Sequence, residues 1–328
     1  MIEKIQLLNM TTQNENSKKG IRNKKTGSSF QGGKGGSMIK GIIRCSVTLL
    51  VSVVLAGSAA YAAEQYQTEV SAVYSRFDSD DDLRVIFYGP KAEWFFSPVN
   101  TSEHSYAEAA FLEHIGSVFA TVQKMSTKMG AFDADGPMAQ IGINYTRPDF
   151  PFAIQAQAGY AKLDIDSVSG NVRIKSYLLN AGYFFAKTLL AGIEYSTSKQ
   201  EVSVATADLK QTEYGLFGKY VHELGHHREL NFEARLSREK DDNGVEELTN
   251  TVEELLVDYY FSKSLSIGAG IANSSGQDDS RDGMTYSARA RYFIVPQFSV
   301  EAGYERFLDS HDGFAGDKTF NVILAGRF

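Results

Sequence analysis

The stretch Tyr220 to Leu230, YVHELGHHREL, sets His222, Glu223 and His226 in an H-E-x-x-H spacing, and His227 follows at once. On a helix this spacing brings two imidazoles onto one face beside a carboxylate, which is how zinc metalloproteases hold a metal and activate water. That chemistry needs the helix. Here the residues before the motif alternate, with Tyr214, Leu216, Gly218 and Tyr220 on one face, and so do those after it, with Leu230, Phe232, Ala234 and Leu236. Gly215 and Gly218 would each cost a helix about 1 kcal/mol. The longer zinc consensus also breaks, because Glu229 stands where a glycine is required and Phe232 where a third histidine is required. The motif is therefore expected to be a hairpin turn with Gly225 at its tip, and no metal or other cofactor is assigned.

Two other groupings could do chemistry. Asp309-Ser310-His311-Asp312 offers an acid–base candidate, and GGKGGSM at 32–38 suggests a phosphate loop. The latter matches G-x-x-x-x-G-K-[ST] at no register and follows no strand. What remains is a set of ionisable residues spaced by two, each sitting between apolar neighbours.

That spacing identifies the elements. At 152–160, FAIQAQAGY puts Phe152, Ile154, Ala156, Ala158 and Tyr160 on one side and Gln155 and Gln157 on the other. The stretches 189–197, 284–294 and 298–306 repeat the scheme, which is the period-2 signature of a strand with two unlike faces. From residue 64 onward no segment reads as a helix. Strands are expected near 66–77, 83–97, 111–125, 137–146, 152–165, 171–185, 189–198, 209–222, 228–239, 250–262, 265–273, 284–294, 298–308 and 318–328. Short connections such as RPDFP (147–151) alternate with longer polar ones, 126–136, 198–208, 239–247, 274–283 and 309–317. An all-β, antiparallel, up-and-down transmembrane barrel of about fourteen strands meets this pattern, with both termini at the periplasmic end. Aromatics on the apolar face recur six or eight residues apart (Phe152 and Tyr160, Tyr286 and Tyr292), and at ~3.4 Å per residue with a ~40° tilt that spans ~16–21 Å. Aromatic girdles flank an apolar band of similar height.

The N-terminus implies export. Residues 38–62, MIKGIIRCSVTLLVSVVLAGSAAYA, carry Lys40 and Arg44 ahead of an apolar run and end in Ala60-Tyr61-Ala62, the form of a signal peptide cleaved after Ala62 or Ala63. Cys45, the sole cysteine, leaves with it, so no disulfide is expected in residues 63–328. Residues 1–37 are basic, polar and glycine-rich and are expected to be disordered, or a translated upstream stretch. Nine of the chain's 33 bases and two of its 40 acids lie in residues 1–62, leaving 24 bases against 38 acids, net −14. This argues against nucleic-acid partners.

The last residues, FNVILAGRF, end in Phe328 with Phe320, Val322 and Leu324 on the same face, and resemble the C-terminal signature of Gram-negative outer-membrane barrels. AEAAFLEHIGSV (107–118), after EWFFSPVNTS, resembles the putative general porins of gammaproteobacteria. The resemblance implies a diffusion channel in the outer membrane, with barrel-assembly machinery reading the Phe328 segment and no catalytic residue to transfer. Lipid, lipopolysaccharide and small hydrophilic solutes are the partners expected of such a protein.

Fourteen strands enclose more than side chains can fill, since about eight suffice to fill a barrel. The polar faces are expected to line a watery lumen through Gln155, Gln157, Glu194, Glu233, Arg235, Glu254, Asp258, Arg289, Arg291, Glu301, Glu305 and Asn321. Hairpin geometry sets Arg291 opposite Glu301 and Arg235 opposite Glu254, and the acidic excess predicts mild cation preference. Acidic runs at 78–82, 241–242 and 278–282 are expected at solvated loop tips. The alternatives are a barrel hydrolase using His311 on the extracellular rim, and a closed barrel with a structural or adhesive role.

Overall fold

The computed structural model describes residues 65–79, 82–130, 132–165, 170–203, 208–225, 227–242, 244, 247–277, 282–309 and 316–328. These form β1 (Gln65–Asp78), β2 (Leu83–Asn100), a helical turn α1 (Ala109–Leu112), β3 (Ser117–Met129), β4 (Phe132–Arg147), β5 (Phe150–Ile165), β6 (Gly170–Ala186) and β7 (Leu189–Val202). β8 (Leu209–Gly225), β9 (Arg228–Asp242), β10 (Glu247–Ser262), β11 (Leu265–Gly276), β12 (Gly283–Val295), β13 (Phe298–Asp309) and β14 (Lys318–Arg327) complete the chain. Each strand pairs antiparallel with its sequence neighbours, and β14 closes on β1 through pairs such as Ala72 with Leu324. Closure leaves no sheet edge, so every strand's backbone groups can be satisfied within hydrocarbon.

The alternation sorts the side chains. Outward-facing Ile141, Ile193, Leu216, Ile267 and Ile294 are among the exposed large apolar residues. A water-soluble molecule avoids a contiguous surface of this kind, whereas lipid requires it. Outward aromatics cap the band at two levels, with Phe152, Tyr183, Tyr220 and Tyr292 below and Tyr160, Tyr177, Tyr195, Tyr214 and Tyr286 above. Two-residue connections at 148–149, 187–188, 226–227, 263–264 and 296–297 mark the lower end as periplasmic.

Three expectations need correction. Strand three begins at Ser117, not near residue 111, and Ala109–Leu112 is helical although the alternation predicts no helix. These residues lie in a sixteen-residue connection, 101–116, at the end where the other connections have two. The strands also run past the expected loops: β3 reaches Met129, β4 starts at Phe132 and β7 extends to Val202. Asp78, Asp241 and Asp242 accordingly lie in strand ends, while Asp80, Asp81 and most of 278–282 fall outside the described residues.

The interior is not polar throughout. At the extracellular ends of β1–β6, Phe77, Leu83, Val85, Phe87, Met125, Leu163, Ile165, Val172 and Ile174 face inward as one buried apolar cluster. On β5 the switch falls at Tyr160, where inward Gln155 and Gln157 give way to Leu163 and Ile165 and outward Ile154 gives way to Lys162 and Asp164. Above the aromatic ring the outside is no longer hydrocarbon, so the wall takes the polarity of a water-exposed sheet with a filled inner side. The aqueous space is thereby pushed toward β7–β14.

Candidate functional site

The twelve residues expected in the lumen lie on the inward side of their strands, alternating with the outward set. Eight of them, Gln155, Glu233, Arg235, Glu254, Arg289, Glu301, Glu305 and Asn321, line a cavity of about 450 Å³. Arg291 stands opposite Glu301 in register and pairs with it. Arg235 stands opposite Glu254 as expected, but its guanidinium also pairs with Glu194 on β7 and with Glu213 on β8 at 2.8 Å. Arg289 grips Asp258 on β10 through Nε at 2.7 Å and lies 3.8 Å from Glu233. Asn231 donates to both Glu233 and Asp258, at 2.8 and 3.0 Å, and Asn180 donates to Gln155 at 2.9 Å.

The ion pairs run along the hydrogen-bond direction of the sheet and tie adjacent or next-but-one strands together, while setting charge of both signs on the chamber wall. The Arg289–Asp258 contact depends on Gly268 between them on β11. A Cβ there would meet Asp258 Oδ1 at 2.0 Å.

The sequence reading missed the floor of this chamber. The 101–116 connection does not turn back at the rim. It folds into the barrel mouth and reaches the opposite wall. Lys263, in the β10–β11 turn, donates to the Ser102 carbonyl. Ser105 donates from N and Oγ to buried Glu229 at the start of β9, at 3.0 and 2.6 Å. Tyr106 N donates to Lys263 O at 2.9 Å, its carbonyl accepts from Arg327 at 2.6 Å, and its ring meets Phe293 edge-on. Glu108 is nearly fully buried; it accepts from Tyr260 Oη at 2.6 Å and pairs with Lys219 at 2.7 Å. Lys219 also lies 4.8 Å from the Phe111 ring centre and 3.3 Å from Glu233. It therefore belongs both to the segment's anchor and to the chamber wall.

Local structure reflects these contacts. Glu108 sits at the N-cap of α1 but makes no cap with its side chain, because the carboxylate is engaged by the wall. His114 ends the turn with φ of +52°, an uncommon conformation for a residue other than glycine. Its ring stacks on Phe184 and its Nε2 lies 2.9 Å from the Lys187 carbonyl oxygen, contacts that hold it there. His104 is buried with Nε2 3.2 Å from Glu113 and Nδ1 3.8 and 3.9 Å from Glu223 and Glu229.

The H-E-x-x-H stretch is thus explained. β8 runs through it to Gly225, whose φ of +79° together with that of His227, +60°, turns the chain into β9. His222 points outward, 3.0 Å from the Tyr220 hydroxyl, and Glu223 points inward toward His104. A strand has set the two on opposite faces, so they cannot share a metal. His226 and His311 lie outside the described residues.

A closed antiparallel barrel with an apolar outer band, aromatic rings and a charged inner chamber defines a transmembrane channel of the outer-membrane type. Residues 38–328 match the family described as putative general bacterial porin; the chain belongs to that family and is a porin of the outer membrane. Among solved structures it is similar to the Acinetobacter baumannii outer membrane protein Omp33, at 19% identity and a TM-score of 0.51, over 81% of this chain and 100% of that one. It also matches the KdgM porin in complex with disordered oligogalacturonate, at 12% identity and a TM-score of 0.40, over 79% and 99% of the two chains. The first likeness concerns the fold alone. A comparison with curated proteins returns no match.

Proposed function

We propose that this porin is a passive diffusion channel for small hydrophilic solutes with mild cation preference, and that residues 101–116 obstruct its periplasmic mouth and set its open state. The observation that carries this reading is the Glu108–Tyr260–Lys219 cluster, which seats the tip of that segment against the wall directly under the charged chamber. The wall charges support the cation preference, since Glu194, Glu213, Glu233, Glu254, Asp258, Glu301 and Glu305 outnumber Lys219, Arg235, Arg289 and Arg291. The twelve wall residues first identified from alternation act together as the lining, their paired charges orienting polar solutes. Residues 38–62 serve as the cleaved leader. Phe328, with Phe320, Val322 and Leu324, serves as the segment read by the assembly machinery.

The test is conductance of the refolded full-length barrel in planar bilayers under a salt gradient. The reading expects discrete openings with a reversal potential on the cation side, and clear anion selectivity would reject the charge argument. A permanently closed structural barrel is the alternative that the obstructed mouth itself favours. It requires silence both in the native chain and after the segment's anchors are removed.

A further inference from the structure

We propose that the outward face of β13, β14, β1 and β2, at the level just above the aromatic ring, binds the phosphate of a phosphorylated glycolipid headgroup of the outer leaflet. The inference rests on the barrel orientation described above and not on conduction.

The observation is a bias in residue type just beyond the upper aromatic ring. Nine strands place an aromatic at that level on the outward face. Two residues further out, on the same face, five carry a base: Arg76 beyond Tyr74, Lys162 beyond Tyr160, Lys175 beyond Tyr177, Arg306 beyond Tyr304 and Lys318 beyond Phe320. The other four positions are Ile86, Thr197, Thr212 and Met284, so none is acidic. The bias runs against the composition, since acids outnumber bases 38 to 24 after residue 62. It is weaker on the other side of the membrane, where one base, Arg147 beyond Tyr145, holds the corresponding place. Beyond the lower-ring aromatics Phe152, Tyr183, Tyr220 and Tyr292, the next outward residues are Phe150, Phe185, His222 and Ile294. Solubility alone would not distinguish the two ends. A layer of anionic headgroups at one end would.

The bases concentrate where β13, β14, β1 and β2 meet. Arg306 stands directly opposite Lys318, an arrangement of like charges that destabilises a strand pair, and Lys318 has Asp78 of β1 opposite it on its other side. Neither has an ion-pair partner among the described residues, and Arg306 Nε is buried without a hydrogen-bond acceptor. On the neighbouring strands Arg76 and Arg84 share a single carboxylate, Asp78, at 2.6 and 2.9 Å. Four cations thus surround one anion on a lipid-adjacent face. Arg306 as a whole is half-buried and carries no ion pair among the described residues, so its guanidinium suits a phosphate oxygen, which it binds by a charge-assisted bond.

The test uses the refolded full-length barrel in detergent, with diphosphoryl lipid A, the same lipid stripped of phosphate, and inorganic phosphate as three probes. Binding is read as the upward shift of the heat-unfolding midpoint against probe concentration. The expected result is saturable stabilisation by diphosphoryl lipid A, little by the dephosphorylated lipid, and weaker stabilisation by inorganic phosphate. In the Arg306→Gln/Lys318→Gln protein the lipid A response should move to roughly a hundredfold higher concentration, since two charge-assisted contacts are lost and each is worth about tenfold. Single-channel conductance of the variant should match the parent, which separates loss of this site from loss of the channel reading and shows that the barrel folds. Equal stabilisation by phosphorylated and stripped lipid would overturn the proposal, as would an unchanged lipid A response in the variant. Inorganic phosphate matching lipid A in potency would reduce the site to one for a free anion and overturn the lipid assignment.

Discussion

Replacing Glu108 by alanine tests whether the luminal segment sets the open state. In the closed arrangement the Glu108 carboxylate accepts a 2.6 Å bond from Tyr260 and a 2.7 Å contact from Lys219. Hydrogen bonds to a charged group contribute about 1.5–3 kcal/mol each, but Lys219 keeps Glu233 at 3.3 Å, so part of its share survives the substitution. The net loss to the closed state is then roughly 2–4 kcal/mol, and at about 1.4 kcal/mol per factor of ten the open-to-closed ratio rises roughly 30- to 700-fold. Tyr260→Phe removes one bond and keeps the ring, so its effect should be near tenfold, from about 1.5 kcal/mol. The assay is single-channel recording of both refolded variants beside the parent, with the heat-dependent gel shift confirming that each barrel is folded. Ordering parent below Tyr260→Phe below Glu108→Ala in open probability is the expected result. If both variants fold and open no more often than the parent, Glu108 does not hold the segment closed and the reasoning fails.

Gly268→Ala should push Asp258 off Arg289, leaving a buried carboxylate with less compensation; a loss of roughly 3 kcal/mol is the order seen when such a pair is broken, read as a lower urea midpoint. Reversing Glu254 and Glu305 to lysine should carry the reversal potential from the cation to the anion side without changing the unfolding free energy by more than ~1 kcal/mol, because both line the open cavity. Deleting Phe328 should lower the amount of heat-modifiable barrel in the outer membrane while leaving refolding in detergent intact; equal membrane levels would remove its assembly role. N-terminal sequencing of the mature protein should begin at Ala63, or at Glu64 for the alternative cleavage; a start within residues 1–37 would remove the leader assignment.

The wall was legible because a strand in a membrane has only two faces, and each residue's parity decides which solvent it meets. Arg291 opposite Glu301 follows from that parity and one turn centred near Pro296. The luminal segment was hidden because its partners lie far away in sequence. Glu108 bonds Tyr260 and Ser105 bonds Glu229, contacts over 152 and 124 residues that leave no local period. Two signals could have shown it. Sixteen residues separate β2 from β3 at the end where other hairpins need two, and AEAAFLE favours a helix far more than a strand. The apolar inner core at the extracellular end had a signal as well, since Leu163 and Ile165 continue the inward parity of Gln155 and Gln157. Reading that parity as polar throughout assumed that the lumen is uniform along its axis.

The contacts along residues 101–116 also indicate which part of the segment can move. The apolar anchoring reaches into α1: Ala109 and Ala110, directly after Glu108, pack with Ile115 against Tyr66, Phe95 and Val99 on β1 and β2 as one cluster that roots the segment. From Ser102 to Glu108, the tip, the contacts are mostly polar, the Tyr106 ring on Phe293 apart, and several wall partners have an alternative once the tip departs. Lys219 keeps Glu233, and Arg327 keeps Glu69 at 2.7 Å and its place over the Tyr66 and Phe293 rings. Glu229 and Tyr260 exchange their partners for water entering the chamber. Withdrawing the tip therefore strands few buried charges, whereas pulling out the roots would expose apolar surface at about 25 cal/mol per Å². Opening is consequently expected as a hinge at the β1–β2 wall that frees the β8–β11 side first. Nitroxide labels at Ala107, beside Glu108, and at Ser264, in the β10–β11 turn, should then show a widened distance in Glu108→Ala while a label pair within β2 and β3 stays fixed.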